Sequence, residues 1–167
     1  TMQGETINWM VSTAKAKNSA ICGSLIIEEN NKYYNRFVFA HPNGKIETYD
    51  KRHLFSLAGE DKQYAKGTEK VIIQYKDWKI CPQICYDLRF PAFSRNIEDY
   101  DLSIYVANWP KPRITAWDAL LKARAIENMS FVIGVNRIGL DGNKHEYVGH
   151  SQILDELGNA IVEASES

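Results

Sequence analysis

One short stretch of the sequence, residues 78–91, restricts the fold more than any other. It opens with an apolar run that predicts a buried strand from Trp78 to Cys85, and then turns into Tyr-Asp-Leu-Arg-Phe-Pro. Pro91 suits the first turn of a short helix. Pro82 cannot donate to a sheet ladder, which predicts a sheet edge or a bulge there. A thiol at such a strand end suits a nucleophile, although most cysteines in apolar runs are small core residues.

Two longer helices are expected from the spacing of apolar residues. Residues 5–17 place apolar side chains three, four and seven positions apart, and Thr6 is a possible N-cap. A second helix is expected to run to about Met129, with Thr115 and Asp118 forming a capping box at its start.

The remaining pattern predicts strands separated by turns. Residues 56–67 show no clear period and read as a loop over a site, whereas strands or extended segments are expected at 20–27, 33–40, 45–49, 69–75, 78–85, 102–107, 130–135, 147–155 and 160–164. Helices and strands in alternation, with several hairpins among them, predict an α/β fold with a mixed sheet or a pair of sheets.

Charge and composition exclude several classes of function. The 167 residues are enough for one domain and carry a formal net charge of −1, whereas binding to nucleic acid or an anionic membrane needs a basic excess. No apolar stretch reaches membrane-spanning length, so the cytoplasm is the expected compartment. The odd count of three cysteines and the four scattered histidines argue against a disulfide framework and a metal site.

Reactive side chains follow three predicted strands. Lys51 follows the first, Cys85 the second, and Asn108-Trp109-Pro110 the third. Ligands gather beyond the carboxyl ends of strands in α/β sheets, so these residues are candidates for one site. Lys51 is either an exposed strand-end charge or a fixed cation that favours a thiolate and stabilises an oxyanion. A Cys85–His53 dyad is the competing arrangement, but the local signatures of papain-like proteases are missing.

The order and spacing of five motifs resemble the nitrilase, or carbon–nitrogen hydrolase, superfamily from about residue 7 to 164. The motifs are Tyr-Asp-Lys-Arg-His-Leu-Phe (49–55), a loop bearing Glu60, Ile-Cys-Tyr-Asp-Leu-Arg-Phe-Pro (84–91), Val-Ala-Asn-Trp-Pro (106–110) and Ala-Arg-Ala-Ile-Glu-Asn (123–128). Residues 85–91 look most like the omega-amidase branch, which hydrolyses 2-oxo-acid ω-amides such as 2-oxoglutaramate.

The resemblance implies a role for each matched residue. Cys85 matches the nucleophile and Lys51 the catalytic lysine, while the backbone N–H of Tyr86 would complete the oxyanion hole. Glu60 matches a second, positioning glutamate.

Three further side chains have open assignments. Arg89 is a candidate partner for a substrate carboxylate, or else a structural partner of Asp87 or Glu127. Trp109 would wall the pocket or pack at a subunit interface. Arg124, three positions before Glu127, is expected to form a structural ion pair with it.

The resemblance also implies an architecture and an assembly. It implies a four-layer α-β-β-α sandwich paired into a homodimer, acting on a small-molecule amide. The family's general-base glutamate has no match, since Glu5 sits in a helical context. We therefore expect residues 1–167 to form a single carbon–nitrogen hydrolase domain that is incomplete at both ends. Two alternatives stay open: a catalytically incompetent fragment that only binds ligand, and a nitrilase acting on nitriles.

Overall fold

The computed structural model describes residues 1–164, which form two compact units, Thr1–Val71 and Ile72 onward. Helices and strands alternate within a mixed set of sheets, so the predicted α/β class is confirmed. In the part of the chain described, no helix is long and apolar enough to cross a membrane.

The first unit packs one helix against a three-stranded antiparallel sheet of order β1-β2-β3. Its elements are α1 (Glu5–Lys17), β1 (Ile21–Glu29), β2 (Lys32–Ala40), β3 (Ile46–Asp50), a 3-10 helix (Ser56–Ala58) and α2 (Glu60–Gln63). Asn30 and Asn31 both adopt positive φ, which gives the hairpin between β1 and β2 its tight two-residue turn.

A small apolar core holds α1 to this sheet. Ile7, Met10 and Ala14 lie on one face of the helix and pack among buried residues that include Ile27 and Val38. The spacing that predicted the helix is therefore the spacing of its buried face. The helix begins at Glu5 with Gly4 as N-cap and no side-chain cap, so the prediction of a cap at Thr6 is wrong.

The second unit is built on a six-stranded mixed sheet of order β11-β10-β7-β6-β5-β4. Its strands are β4 (Ile73–Tyr75), β5 (Trp78–Ile84), β6 (Leu102–Ala107), β7 (Phe131–Asn136), β10 (Gln152–Leu154) and β11 (Ala160–Glu163). A separate hairpin joins β8 (Ile138–Leu140) to β9 (Glu146–Val148), and the helices are α3 (Pro91–Ser94) and α4 (Ile114–Asn128).

The central strands β5, β6 and β7 run parallel, so their carboxyl ends lie at one edge of the sheet. β4 pairs with β5 only as far as Ile80, which leaves Pro82 beyond the end of that ladder. The prediction that Pro82 occupies an edge position is confirmed, because its missing N–H interrupts no ladder on that side.

Helix α4 covers the sheet through a tightly packed apolar face. Trp117 and Leu121 are fully buried, and each contributes about 1.5–3 kcal/mol through burial. They press so closely on β7 that a Cβ added at Gly134 would lie 2.4 Å from the Leu121 side chain. Only a glycine leaves room for this approach.

Several sequence predictions need correction. The segment 56–67 is not a plain loop, because it contains the 3-10 helix and α2, and the strand expected over 69–75 is confined to Ile73–Tyr75. Helix α4 starts at Ile114 without a side-chain cap, so the capping box is wrong. Asp118 instead contacts His150, at 3.0 Å.

Candidate active site

Cys85 stands at the carboxyl end of β5, as the first residue of a 3-10 helix, Cys85–Arg89. Its φ of +48° is unusual for a residue with a side chain, and such strain costs on the order of 1–3 kcal/mol. Its half-buried Sγ lies 3.9 Å from the carbonyl oxygen of Asn108, at the end of the neighbouring strand. Strained, partly accessible strand-to-helix turns are typical of nucleophiles.

Two buried side chains hold this turn in place. The carboxylate of Asp87 accepts a 3.0 Å hydrogen bond from the backbone N–H of Ile84, directly before the cysteine. Arg124 reaches across from α4 and donates a 2.6 Å hydrogen bond to the carbonyl of Leu88. The backbone around Cys85 is therefore fixed both from within the turn and from the helix.

The same arginine makes the ion pair expected from the sequence. Its Nη1 lies 2.7 Å from Oε1 of Glu127, so the predicted Arg124–Glu127 pair is confirmed. Arg89, in contrast, forms no ion pair with any described residue, and the interpretation of it as a structural partner of Asp87 or Glu127 is wrong.

Arg89 is exposed, and its guanidinium carbon lies 5.1 Å from the centre of the Trp109 ring. Trp109 is almost fully buried, with its ring 5.6 Å from that of Trp117, so it belongs to the apolar core between sheet and helix. Stacking on a buried indole holds the guanidinium by a cation–π contact while leaving its N–H groups for a ligand.

Asn136, at the end of β7, ties neighbouring strand ends together. Its amide accepts a 2.7 Å hydrogen bond from the backbone N–H of Trp109 and donates bonds of 3.0 and 2.8 Å to the carbonyls of Trp109 and Gly149. A buried amide with these partners rigidifies the edge of the sheet beside the nucleophile.

The first unit contributes a lysine–glutamate pair. Lys51 directly follows β3 and is 3% exposed, so the interpretation of it as an exposed strand-end charge is wrong. Its Nζ lies 2.6 Å from Oε2 of Glu60. The backbone N–H of Phe55 donates a 2.7 Å hydrogen bond to the same oxygen, and Nδ2 of Asn35 donates one of 3.2 Å to Oε1.

The backbone around Lys51 is equally constrained. Its N–H donates to the carbonyl of Asn35 at 2.9 Å, and its carbonyl accepts from the N–H of Gly67 at 2.9 Å. A Cβ at Gly67 would lie 2.1 Å from the carbonyl oxygen of Asp50, so only glycine fits. The ammonium is thus a fixed cation held by a fixed carboxylate, which suits stabilisation of negative charge more than free proton exchange.

The structure thus groups the candidate residues in two sets. Lys51 and Glu60 are brought into direct contact in the first unit, and Cys85, Tyr86, Arg89 and Trp109 belong to the second. Two supporting residues, Asn35 and Asn136, were not predicted from the sequence. Asparagine is depleted in strands, so its presence inside β2 and at the end of β7 is the signal that marks them.

Among residues 1–164, no group of three or more histidine, cysteine, aspartate or glutamate side chains is arranged to hold a metal ion. Cys22, Cys81 and Cys85 are all free thiols. The nucleophile candidate is therefore available as a thiol.

The family model for carbon–nitrogen hydrolases matches residues 1–167. Omega-amidase YafV from Escherichia coli (strain K12) is 47% identical over 162 residues, which cover 97% of this chain and 63% of that protein. A 2-oxoglutaramate amidase from Bacillus subtilis (strain 168) is 35% identical over 160 residues, covering 93% of this chain and 61% of that protein. The chain thus spans about three fifths of the length of these relatives.

A solved structure supports the same relationship. XC1258 from Xanthomonas campestris, a CN-hydrolase superfamily protein with an arsenic adduct in its active site, matches with a TM-score of 0.97 and 45% identity. The match covers 99% of this chain and 66% of that one. The chain belongs to the carbon–nitrogen hydrolase family.

Proposed function

We propose that this member of the family contributes to an amidohydrolase that cleaves a linear carboxamide, such as the 2-oxo-acid ω-amide 2-oxoglutaramate, to carboxylate and ammonia. The observation that carries the proposal is Cys85, held at positive φ at the end of a parallel strand. The names of the two curated relatives, an omega-amidase and a 2-oxoglutaramate amidase, support the substrate class.

The reaction we propose has two steps through a thioester. A general base accepts the proton of the Cys85 thiol, the sulfur attacks the amide carbon to form a C–S bond, and the carbonyl oxygen becomes an oxyanion. The backbone N–H of Tyr86 and the ammonium of Lys51 stabilise that charge, and Glu60 holds the lysine. The C–N bond then breaks and ammonia leaves with a proton from a general acid, which the family resemblance assigns to a glutamate that no residue of this chain matches.

The second step reverses the roles of the first. Water attacks the thioester carbon after losing a proton to the same general base, and the C–S bond breaks. The protonated base returns its proton to the leaving sulfur, which restores the thiol, and the product departs as a carboxylate. Every atom comes from the amide, water and protein, so this sequence needs no cofactor.

Substrate binding is proposed for two residues beside the nucleophile. Arg89 presents a guanidinium suited to bidentate contact with a carboxylate, and Trp109 forms the wall that supports it. The near-complete burial of Trp109 supports a role behind Arg89 rather than direct contact with solvent.

We further propose that residues 1–167 act as one carbon–nitrogen hydrolase domain, as a homodimer in the cytoplasm. The match of a single family model along the chain supports the first point. The three free cysteines agree with a reducing compartment. The amidase relatives support a small-molecule amide as the substrate, and the formal net charge of −1 gives no support for nucleic acid or anionic membranes as partners.

The test measures ammonia released by the full-length protein from 2-oxoglutaramate and from a nitrile of the same chain length. Wild type and Cys22→Ser are expected to release ammonia steadily from the amide, and Cys85→Ala to release none above background. Cys22 is the matched control because it is the other thiol with exposed surface, whereas Cys81 is buried. Preference for the nitrile, or full activity in Cys85→Ala, would disprove the proposal.

A further inference from the structure

A second arginine follows the third strand of the parallel set. β5, β6 and β7 are in register at Ile84, Val106 and Val135, so Cys85 and Arg137 leave the same edge of the sheet. The backbone N–H of Arg137 donates a 3.1 Å hydrogen bond to the carbonyl of Ala107, at the end of β6. Arg137 therefore directly follows β7, two strands away from β5, which carries the nucleophile at its end.

The hairpin β8–β9 holds this arginine in a defined orientation. Its guanidinium carbon lies 5.0 Å from the centre of the Tyr147 ring, and Nη2 donates a 2.9 Å hydrogen bond to the carbonyl of Leu140. The hydroxyl of Tyr147 in turn donates a 3.0 Å hydrogen bond to the carboxylate of Asp141. The stacking partner is thus itself fixed.

The charge of Arg137 has no carboxylate partner. None of the described acidic side chains forms an ion pair with it, and the residue is exposed. A guanidinium carries five N–H donors in a planar fork, and Leu140 takes only one of them. Several donors remain for a bidentate contact with an anion.

Charged groups around the hairpin act on the ionisation of Tyr147. Burial raises the pKa of Tyr147, and its hydrogen bond to Asp141 and the charge of that carboxylate raise it further. A charge on the Cys85 sulfur acts on the pKa of Tyr147 in the same direction, while Arg137 lowers it. Tyr147 therefore lies within electrostatic range of both the nucleophile and the arginine.

The length of the proposed substrate is of the same order as the spacing of these strand backbones. Adjacent strands lie about 4.8 Å apart, so two steps from β5 to β7 span roughly 10 Å. In a five-carbon ω-amide the amide carbon and the distal carboxylate carbon are joined by four C–C bonds, roughly 5 Å when extended. A bidentate guanidinium contact adds roughly 4 Å, for a total of about 9 Å.

We propose that Arg137, stacked on Tyr147, binds the distal carboxylate of the substrate and so selects ω-amides of acids over simple amides. The inference rests on the proposed function and adds to it the residue that sets its specificity. Arg89, proposed above to contact a carboxylate, lies over a tryptophan of the helix-side core at the same edge, and the two guanidinium groups share that carboxylate.

The first experiment compares two substrates in the full-length protein, 2-oxoglutaramate and pentanamide, which lacks both the carboxylate and the 2-oxo group. Arg137→Met is expected to lower kcat/KM for 2-oxoglutaramate by roughly 10- to 100-fold, mainly through KM, and to leave pentanamide within about twofold. Arg137→Lys keeps the positive charge but loses the planar guanidinium, so its kcat/KM for 2-oxoglutaramate should lie between those of wild type and Arg137→Met. Lys144→Met removes a cation from the turn of the same hairpin and should change neither value.

A second measurement does not need turnover. In a Cys22→Ser background, 2-oxoglutarate should protect Cys85 from alkylation by iodoacetamide, followed by mass spectrometry of the peptide. Arg137→Met is expected to raise the half-protecting concentration by roughly 10- to 100-fold. If 2-oxoglutarate protects Cys85 in the wild-type protein but the protein releases no ammonia, the proposed function is disproved. The role of Arg137 in binding the carboxylate would remain supported.

Three results would overturn the inference. One is unchanged selectivity and protection in Arg137→Met, and another is a selectivity change in Arg89→Met alone. The third is an equal loss on both substrates with unchanged protection, which would show that Arg137 supports the nucleophile or the fold rather than the carboxylate.

Discussion

The ion pair between Lys51 and Glu60 should show strong energetic coupling in a double-mutant cycle. The two charged atoms lie 2.6 Å apart, and the side chains are only 4% and 12% exposed. Removing one partner of a buried pair leaves an uncompensated charge, which costs about 3–5 kcal/mol. Because Glu60 keeps some solvent contact, we expect Glu60→Gln and Lys51→Met each to lose about 3 kcal/mol of unfolding free energy.

The double variant leaves no unpaired charge and should therefore lose little more than either single variant. The coupling free energy should be about 2–3 kcal/mol, obtained from urea unfolding of the four full-length proteins at neutral pH. Lys111 and Glu146 provide the matched control, since they lie 2.9 Å apart but are 53% and 51% exposed. The double-mutant cycle with Lys111→Met and Glu146→Gln should give a coupling free energy below about 1 kcal/mol. Equal coupling in the two cycles would refute the argument from burial.

Two further predictions concern the backbone near Lys51 and the hairpin that carries Arg137. Gly67→Ala places a Cβ against the carbonyl of Asp50 and should lower both stability and ammonia release, whereas Gly142→Ala, with open space around it, should change neither. The pKa of Asp141 is lowered to about 2, chiefly by the backbone hydrogen bond from His145. A depressed pKa means that the turn is stabilised above the ordinary value of 3.8 and loosens as pH falls toward about 2. The protection factor of the His145 amide, its exchange rate relative to an unstructured peptide at the same pH, should therefore stay constant from pH 8 to about 4. Loss of protection by pH 5 would contradict this assignment.

Periodic features were predicted from the sequence because their signal is local. The apolar spacing over 5–17 is the buried face of α1, and the α/β alternation follows from similar short-range patterns. Helix α2 was missed because four residues, Glu60–Gln63, are too few to show a period. The capping box failed because the helix starts earlier and Asp118 finds a partner, His150, 32 positions away.

Some residues of the candidate site could be predicted from the sequence, and others could not. Lys51 and Glu60 are nine positions apart, and both lie in or near a recognised motif, whereas the Asn35 amide that fixes Glu60 lies 25 positions away on β2. No spacing rule connects Asn35 with Glu60, since the pairing of β2 with β3 places Asn35 beside Lys51, the ion-pair partner of Glu60. Arg137 was overlooked for the same reason, because its significance depends on the alignment of β5, β6 and β7.

The account depends most directly on a thioester at Cys85. The full-length protein, mixed with 2-oxoglutaramate and quenched in acid within milliseconds, should yield a peptide heavier by the acyl group. Fragmentation of that peptide should place the added mass on Cys85 and not on Cys81, and the Cys22 peptide should be unmodified. Hydroxylamine should remove the added mass, as expected for a thioester. Steady ammonia release without acylation of Cys85, or with the acyl group on another residue, would contradict the central claim.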